Sequence, residues 1–258
     1  MQKIIHCGNL KIPALGLGTY KLIGKAGEQA IAEAIGLGYR HIDTAAFYDN
    51  EAEVGTAIKN AGIAKAEIFL TTKVWPSSFA KKLFVPGVQD SLRKLKVDAV
   101  DLLLLHWPAD EETNKLALGL LLECYEKQYA KHVGVSNFSL AQCEAALQLA
   151  PISCNQVEYN PHKCLPDLAG YLQQQDIVLT AYSPLARGAV LNEPVIQQLA
   201  AQYNRTGSQI ALRWLLQQNN VAAIPKASTG KHCMENMQVF DFELADEDML
   251  QIFRLCKP

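Results

Sequence analysis

Residues 100–106, Val-Asp-Leu-Leu-Leu-Leu-His, restrict this chain more than any other stretch. An extended segment that is apolar on both faces has to be covered on both sides, the situation of a strand inside a parallel sheet clad in helices. The remaining chain supplies those helices. Short apolar runs at 15–18, 41–43, 68–74, 100–106, 132–135, 153–157, 177–181 and 221–224 read as strands. Helical patterns fall between them, at about 28–37, 51–62, 79–96, 141–149, 165–175 and 208–217. Asn50 or Asp49 is expected to cap the helix that opens at Glu51.

Eight strand–helix units in 258 residues, with no linker-like segment, predict one α/β domain over 1–258. The expected form is a closed (β/α)8 TIM barrel, for which ~250 residues is an ordinary length. A β-hairpin, 3–5 with 10–12 around Gly8-Asn9, precedes it, and extra helices at 194–203 and 246–254 lie near the C-terminus. The alternation also suits an open doubly wound sheet. The number of units and the single composition regime favour closure.

The net charge of −2, with both signs scattered, lacks the basic clustering of a nucleic-acid surface. No apolar run approaches the ~20 residues of a membrane span, and the N-terminus lacks a signal-peptide pattern. The seven cysteines form no C-x-x-C pair. They are expected to be free thiols in a reducing compartment, which points to the cytoplasm.

In a barrel the strand ends and following loops form the C-terminal rim, where active sites are built. Asp43 ends the second strand, Tyr48 stands in the loop after it, Lys73 is near the end of the third strand, and His106 ends the fourth. Each has an ordinary explanation alone: a helix cap, a packed ring, a solvated lysine, a core histidine beside the turn at Trp107-Pro108. Adjacent strands delivering all four to one side of the rim point to chemistry instead. The set suits proton transfer to a carbonyl. Lys73 would stabilise the Tyr48 phenolate and lower a pKa that is ordinarily ~10. Asp43 would hold Lys73 as its ion-pair partner, and neutral His106 would donate to the substrate oxygen.

The same residues admit other chemistries. A Schiff-base aldolase would need Lys73 neutral, which Asp43 opposes. No metal is expected, because His106 has no H-x-H or H-E-x-x-H company. A non-catalytic regulatory barrel is a further alternative.

The run from Gly38 to Glu51, Thr-Thr-Lys-Val-Trp at 71–75, and Asp-Leu-Leu-Leu-Leu-His-Trp-Pro at 101–108 resemble the motifs of the aldo-keto reductase family. The resemblance spans nearly the whole chain and is nearest to short bacterial members of the 2,5-diketo-D-gluconate reductase type. It implies NADPH-dependent reduction of aldehydes and ketones, methylglyoxal or a diketogluconate among them, with Asp43, Tyr48, Lys73 and His106 as the catalytic group. It also implies a cofactor lying extended across the rim, although Gly16-Leu17-Gly18-Thr19-Tyr20-Lys21 lacks the G-x-G-x-x-G pattern of a Rossmann site.

By the same resemblance Ser136, Asn137 and Gln156 would hold the carboxamide, with Gly18, Thr19 and Asp43 also on the cofactor. Tyr182 would stack on the nicotinamide, and Ser183 and Leu185 would meet the pyrophosphate. Lys226, Ser228 and Thr229 would take the 2′-phosphate, and Glu235 and Asn236 the adenine. His232 stands where the family usually has arginine, and an imidazole cannot make arginine's bidentate fork. Weaker NADPH preference with some NADH use is therefore expected. Tyr20, Phe47, Trp75 and Trp107 match the apolar substrate pocket, while Trp214 is expected in the core. The short segment 108–114 and the chain's stop at Lys257-Pro258 predict an open pocket for varied small carbonyls. Gln128-Tyr129-Ala130-Lys131 departs from the family at the barrel's bottom face. A monomer or weak oligomer, with no membrane or nucleic-acid partner, completes the expectation.

Overall fold

A computed structural model describes residues 3–256. Strands β1 (Ile4–Cys7) and β2 (Leu10–Pro13) pair antiparallel, with Gly8 at the turn in the left-handed region (φ 53°) that glycine adopts without strain. The Pro13 carbonyl lies 3.1 Å from Nδ1 of His41, the first residue of the barrel's second strand. The hairpin therefore sits at the N-terminal end of the barrel, away from the rim.

Eight parallel strands follow: β3 (Leu17–Gly18), β4 (His41–Asp43), β5 (Phe69–Val74), β6 (Val100–Leu105), β7 (Ala130–Ser136), β8 (Ile152–Glu158), β9 (Val178–Tyr182) and β10 (Val221–Ala223). Each pairs with its neighbour in sequence. The two ends of the sheet meet. Gly16 N–H donates to Ala223 O at 2.8 Å, Ala223 N–H to Ala14 O at 2.8 Å, and Gly18 N–H to Pro225 O at 3.1 Å. These bonds close the barrel and dispose of the open-sheet alternative, which requires two free edges. Gly18 is demanded at this seam, because a β-carbon there would stand 2.7 Å from the Ile224 carbonyl oxygen.

Helices α1 (Gly24–Gly36), α2 (Glu51–Asn60), α3 (Phe84–Leu95), α4 (Glu111–Glu126), α5 (Leu140–Leu147), α6 (Pro166–Gln174), α7 (Pro194–Tyr203), α8 (Gly207–Gln217), α9 (Gly230–Met237) and α10 (Asp246–Phe253) accompany the strands. Leu102–Leu105 is buried on both faces, as its composition requires. Trp214 is fully buried on α8 between the rings of Tyr159 and Phe253, a core residue as expected.

Several details differ from the sequence reading. The third crossover helix begins at Phe84 rather than near 79, because Pro76–Ser78 closes a separate 3-10 turn. Helix α4 begins at Glu111, capped by the Asp110 side chain, so the loop after β6 is shorter than the sequence suggested. Asn50 is at the N-cap position of α2 without bonding the helix through its side chain. Its amide instead donates to the carbonyls of Thr19 and Leu22 at 2.8 and 2.9 Å, and its oxygen accepts from Thr44 Oγ1 at 2.8 Å. Asn50 thus ties together the loops that follow β3 and β4.

The expectation of uniformly free cysteines is corrected. Cys164, in the loop before α6, and Cys256, just after α10, form a disulfide with Cα atoms 5.6 Å apart. The two are 92 residues apart in sequence, and only the packed fold brings them together. Cys7, Cys124, Cys143, Cys154 and Cys233 are free and buried. Lys257 and Pro258, on which the open-pocket reading partly leaned, lie outside the described residues.

Candidate active site

The ends of β4, β5 and β6 lie side by side, Asp43 level with Thr71 and Lys73 level with Leu104. Lys73 Nζ donates to Asp43 Oδ1 at 2.5 Å, to the Thr44 carbonyl at 2.9 Å and to Tyr48 Oη at 3.4 Å. Its three N–H bonds are thereby directed at three acceptors. The second oxygen of Asp43 accepts from Gln156 Nε2 at 2.7 Å, so a residue of β8 completes the group from across the barrel. Burial alone would lower the Lys73 pKa, but Asp43 and Tyr48 reverse this and hold it above the ordinary lysine value. The amine is charged, which leaves no neutral nucleophile for the aldolase alternative.

Tyr48 ends a 3-10 turn, Ala46–Tyr48, that swings its ring over this pair. Here one sequence expectation is corrected. Burial raises the phenol's pKa more than Lys73 lowers it, and the Asp43 carboxylate adds to the rise. Tyr48 therefore keeps its proton throughout the neutral range. His106 is pushed down to about 3, first by burial and then by the Lys73 charge, so its imidazole is neutral as expected. Its Nδ1 is buried and has no hydrogen-bond partner among the described residues. The ring is held edge-on by Trp75 at 5.0 Å and Tyr48 at 5.5 Å between centroids.

Asp43, Tyr48 and His106 open onto a cleft of about 980 Å³ at the C-terminal rim, with Lys73 beneath them. Tyr20, Phe47, Trp75 and Trp107 line one part of it. Phe47 and Trp75 stack at 3.9 Å, and Phe47 and Trp107 are exposed. Gly18, Ser136, Asn137, Gln156, Tyr182, Ser183, Leu185 and Lys226 line the rest. Asn137, in the left-handed region (φ 64°), accepts from Tyr182 Oη at 2.8 Å and donates to Ser136 Oγ at 3.0 Å and the His106 carbonyl at 3.1 Å. Helix capping does not explain this pair, because α5 is capped by Ser139 in a capping box with Gln142.

The remaining cofactor candidates lie off the cleft lining. Thr19 is fully buried with its hydroxyl unpartnered. Ser228 and Thr229 are exposed before α9, and Thr229 Oγ1 caps that helix through the His232 N–H. His232 is exposed on the first turn, Glu235 is half-buried near Lys231, and Asn236 is buried beside Tyr39. Sequence reasoning missed Lys21 and Arg187, cations that line the cleft from left-handed backbone positions (φ 65° and 55°). Their proximity to Tyr20 and Leu185 was the available signal. Among the described residues no cluster of three or more His, Cys, Asp or Glu is arranged to hold a metal, and no helix is long and apolar enough to cross a membrane.

The sequence profile of the aldo/keto reductase family matches residues 14–256. The chain belongs to the aldo/keto reductase family. This reductase is 38% identical over 256 residues to glyoxal reductase of Bacillus subtilis, covering 98% of this chain and 92% of that one. It is 35% identical to methylglyoxal reductase DkgB of Escherichia coli, over 95% of this chain and 94% of the other. A solved structure described as a putative 2,5-diketo-D-gluconic acid reductase B superposes with a TM-score of 0.97 at 39% identity, covering 100% of this chain and 92% of its own. The reductase is thus an oxidoreductase acting on carbonyl groups, in a family that generally uses NAD(P)H.

Proposed function

We propose that this reductase converts small aldehydes and ketones, dicarbonyls such as methylglyoxal or a diketogluconate among them, to alcohols with NADPH, some NADH use being tolerated. The observation that carries the reading is the meeting of Tyr48, Lys73, Asp43 and His106 at one point of the cleft. The cleft's donor set fits the cofactor: amides and hydroxyls at the Tyr48 end, and the cations Lys21, Arg187 and Lys226 among its other lining residues. When bound, a nicotinamide supplies the hydride.

The chain's own residues do the rest. His106, neutral and lining the cleft, donates to the carbonyl oxygen and orients it beside Tyr48. Tyr48 gives its Oη proton to that oxygen as charge develops, and Lys73 stabilises the phenolate left behind. Asp43 fixes the ammonium. Ser136, Asn137 and Gln156 would hold the carboxamide, Tyr182 would stack on the ring, and Gly18 would border it, with Thr19 buried behind Gly18. Ser183 and Leu185 would carry the pyrophosphate. Lys226, Ser228, Thr229 and His232 would meet the 2′-phosphate, and Glu235 and Asn236 the adenine. Tyr20, Phe47, Trp75 and Trp107 would form the substrate wall, left open by the short loop before α4.

We place this activity in one domain over 1–258 and in a monomer or weak oligomer. A cytoplasmic location retains the support of the five buried free thiols and loses that of Cys164 and Cys256. The test is a set of initial rates with NADPH and NADH over a panel of aldehydes, ketones and dicarbonyls. Cofactor binding without carbonyl-dependent oxidation would favour the regulatory alternative. One acceptor far above all others would refute the open pocket, and a several-thousandfold preference for NADPH would refute the weakened selectivity.

A further inference from the structure

The N-terminus of α9 carries a feature that the catalytic reading does not use. Gly230, its first residue, packs against Glu33 of α1: a β-carbon at Gly230 would run into the carboxylate and stand 2.6 Å from its carboxyl carbon. No hydrogen bond or ion pair joins the Glu33 carboxylate to any described residue. Its charge nevertheless reaches into α9, where burial and then Glu33 push the Cys233 thiol up to about 11. Cations are scarce where they would offset it. Lys226 is four residues before Gly230, at the edge of the cleft, and Lys231 leans 3.9 Å from Glu235.

On the proposed cofactor site, the cleft lining runs from Tyr48 past Leu185 and Arg187 to Lys226, and Ser228, Thr229 and the first N–H groups of α9, just beyond that lining, would hold the 2′-phosphate end. A helix N-terminus attracts an anion. Here a carboxylate is already beside it.

We infer that Glu33 is a cofactor-specificity residue: its carboxylate repels a 2′-phosphate at the start of α9 and so narrows the preference for NADPH over NADH. The inference rests on the proposed cofactor site and goes beyond His232, because a missing arginine only removes an attraction whereas Glu33 adds a repulsion. A carboxylate can also accept a hydrogen bond from a ribose 2′-hydroxyl, the means by which an acidic residue selects NAD in other folds.

The experiment measures dissociation constants by quenching of intrinsic fluorescence, with NADP+ and NAD+, for the wild-type chain, Glu33→Gln and Glu33→Ala. The near-isosteric glutamine preserves the packing on Gly230 and so separates charge from shape. In both variants the NADP+ constant should fall about five- to tenfold at low salt while that for NAD+ stays level or rises, the effect shrinking in 0.5 M salt as screening predicts. Equal changes for both nucleotides, or none, would overturn the inference while leaving the cofactor site intact. Failure of the wild-type chain to bind either nucleotide would overturn the site itself and the inference with it.

Discussion

Lys73 Nζ lies 2.5 Å from Asp43 Oδ1, with both side chains sealed from solvent. A buried ion pair is held by mutual compensation, and removing one member leaves the other charged in a low-dielectric setting, at about 3–5 kcal/mol. Lys73→Met should therefore destabilise the fold by roughly that amount in urea unfolding at pH 7. The double variant Asp43→Asn/Lys73→Met should recover much of the loss, because neither charge is then stranded. If the single variant proves no less stable than the double one, the pair is not the compensated unit described here.

Tyr48→Phe keeps the ring and its contact with His106 and removes only the hydroxyl that faces Lys73. Carbonyl reduction should fall by about 10²–10⁴, the ordinary worth of a positioned proton donor. Dissociation constants for NADP+ should stay within about twofold, well under the 1.4 kcal/mol that separates a factor of ten. Undiminished turnover in this variant would take Tyr48 out of the mechanism.

The ionisations at the site set its pH behaviour. Tyr48 titrates above the ordinary tyrosine value of 10.0, and His106 only near about 3. Neither changes charge in between, so the reduction rate should show no break from these two groups across the neutral range and should decline only in strong alkali. Stability behaves differently. Unfolding returns His106 to about 6.5, so between that pH and about 3 the unfolded chain binds the extra proton. Stability should then rise with pH across that window, by up to about 1.4 kcal/mol per unit from this residue, and level off above it. Buried His41, also lowered by desolvation, acts in the same direction. Unfolding free energies from pH 4 to 8 for the wild-type chain and His106→Asn test this, and equal slopes would refute it.

What the sequence made legible follows from how each feature is encoded. The barrel strands could be read because burial on both faces leaves a continuous apolar run, as in Leu102–Leu105. Asp43, Tyr48, Lys73 and His106 could be placed because strand ends fix a residue's height in the barrel. The direction of the Tyr48 shift could not, since it depends on how much burial competes with the Lys73 charge. Nor could the side-chain bonds of Asn50, whose partners Thr19 and Leu22 belong to a different loop. Glu33 was likewise invisible, because its partner Gly230 is brought to it only by the closure of the barrel.

The Cys164–Cys256 disulfide joins the loop after β8 to the segment after α10 across 92 residues. Cross-links over loops of this length restrict the unfolded chain by about 4–5 kcal/mol in the entropic account, and measured effects commonly reach 2–4 kcal/mol. Cys256→Ser should accordingly lower the unfolding free energy by about 2–4 kcal/mol under non-reducing conditions. It should do so with little change in carbonyl reduction, because neither cysteine lines the cleft. A thiol count supplies the independent check. In denaturant without reductant the wild-type chain should titrate the five cysteines that stand free in the fold, and all seven after reduction. Seven reactive thiols before any reductant is added would show that the two sulfurs had not bonded, and the stability difference between the wild-type chain and Cys256→Ser should then vanish.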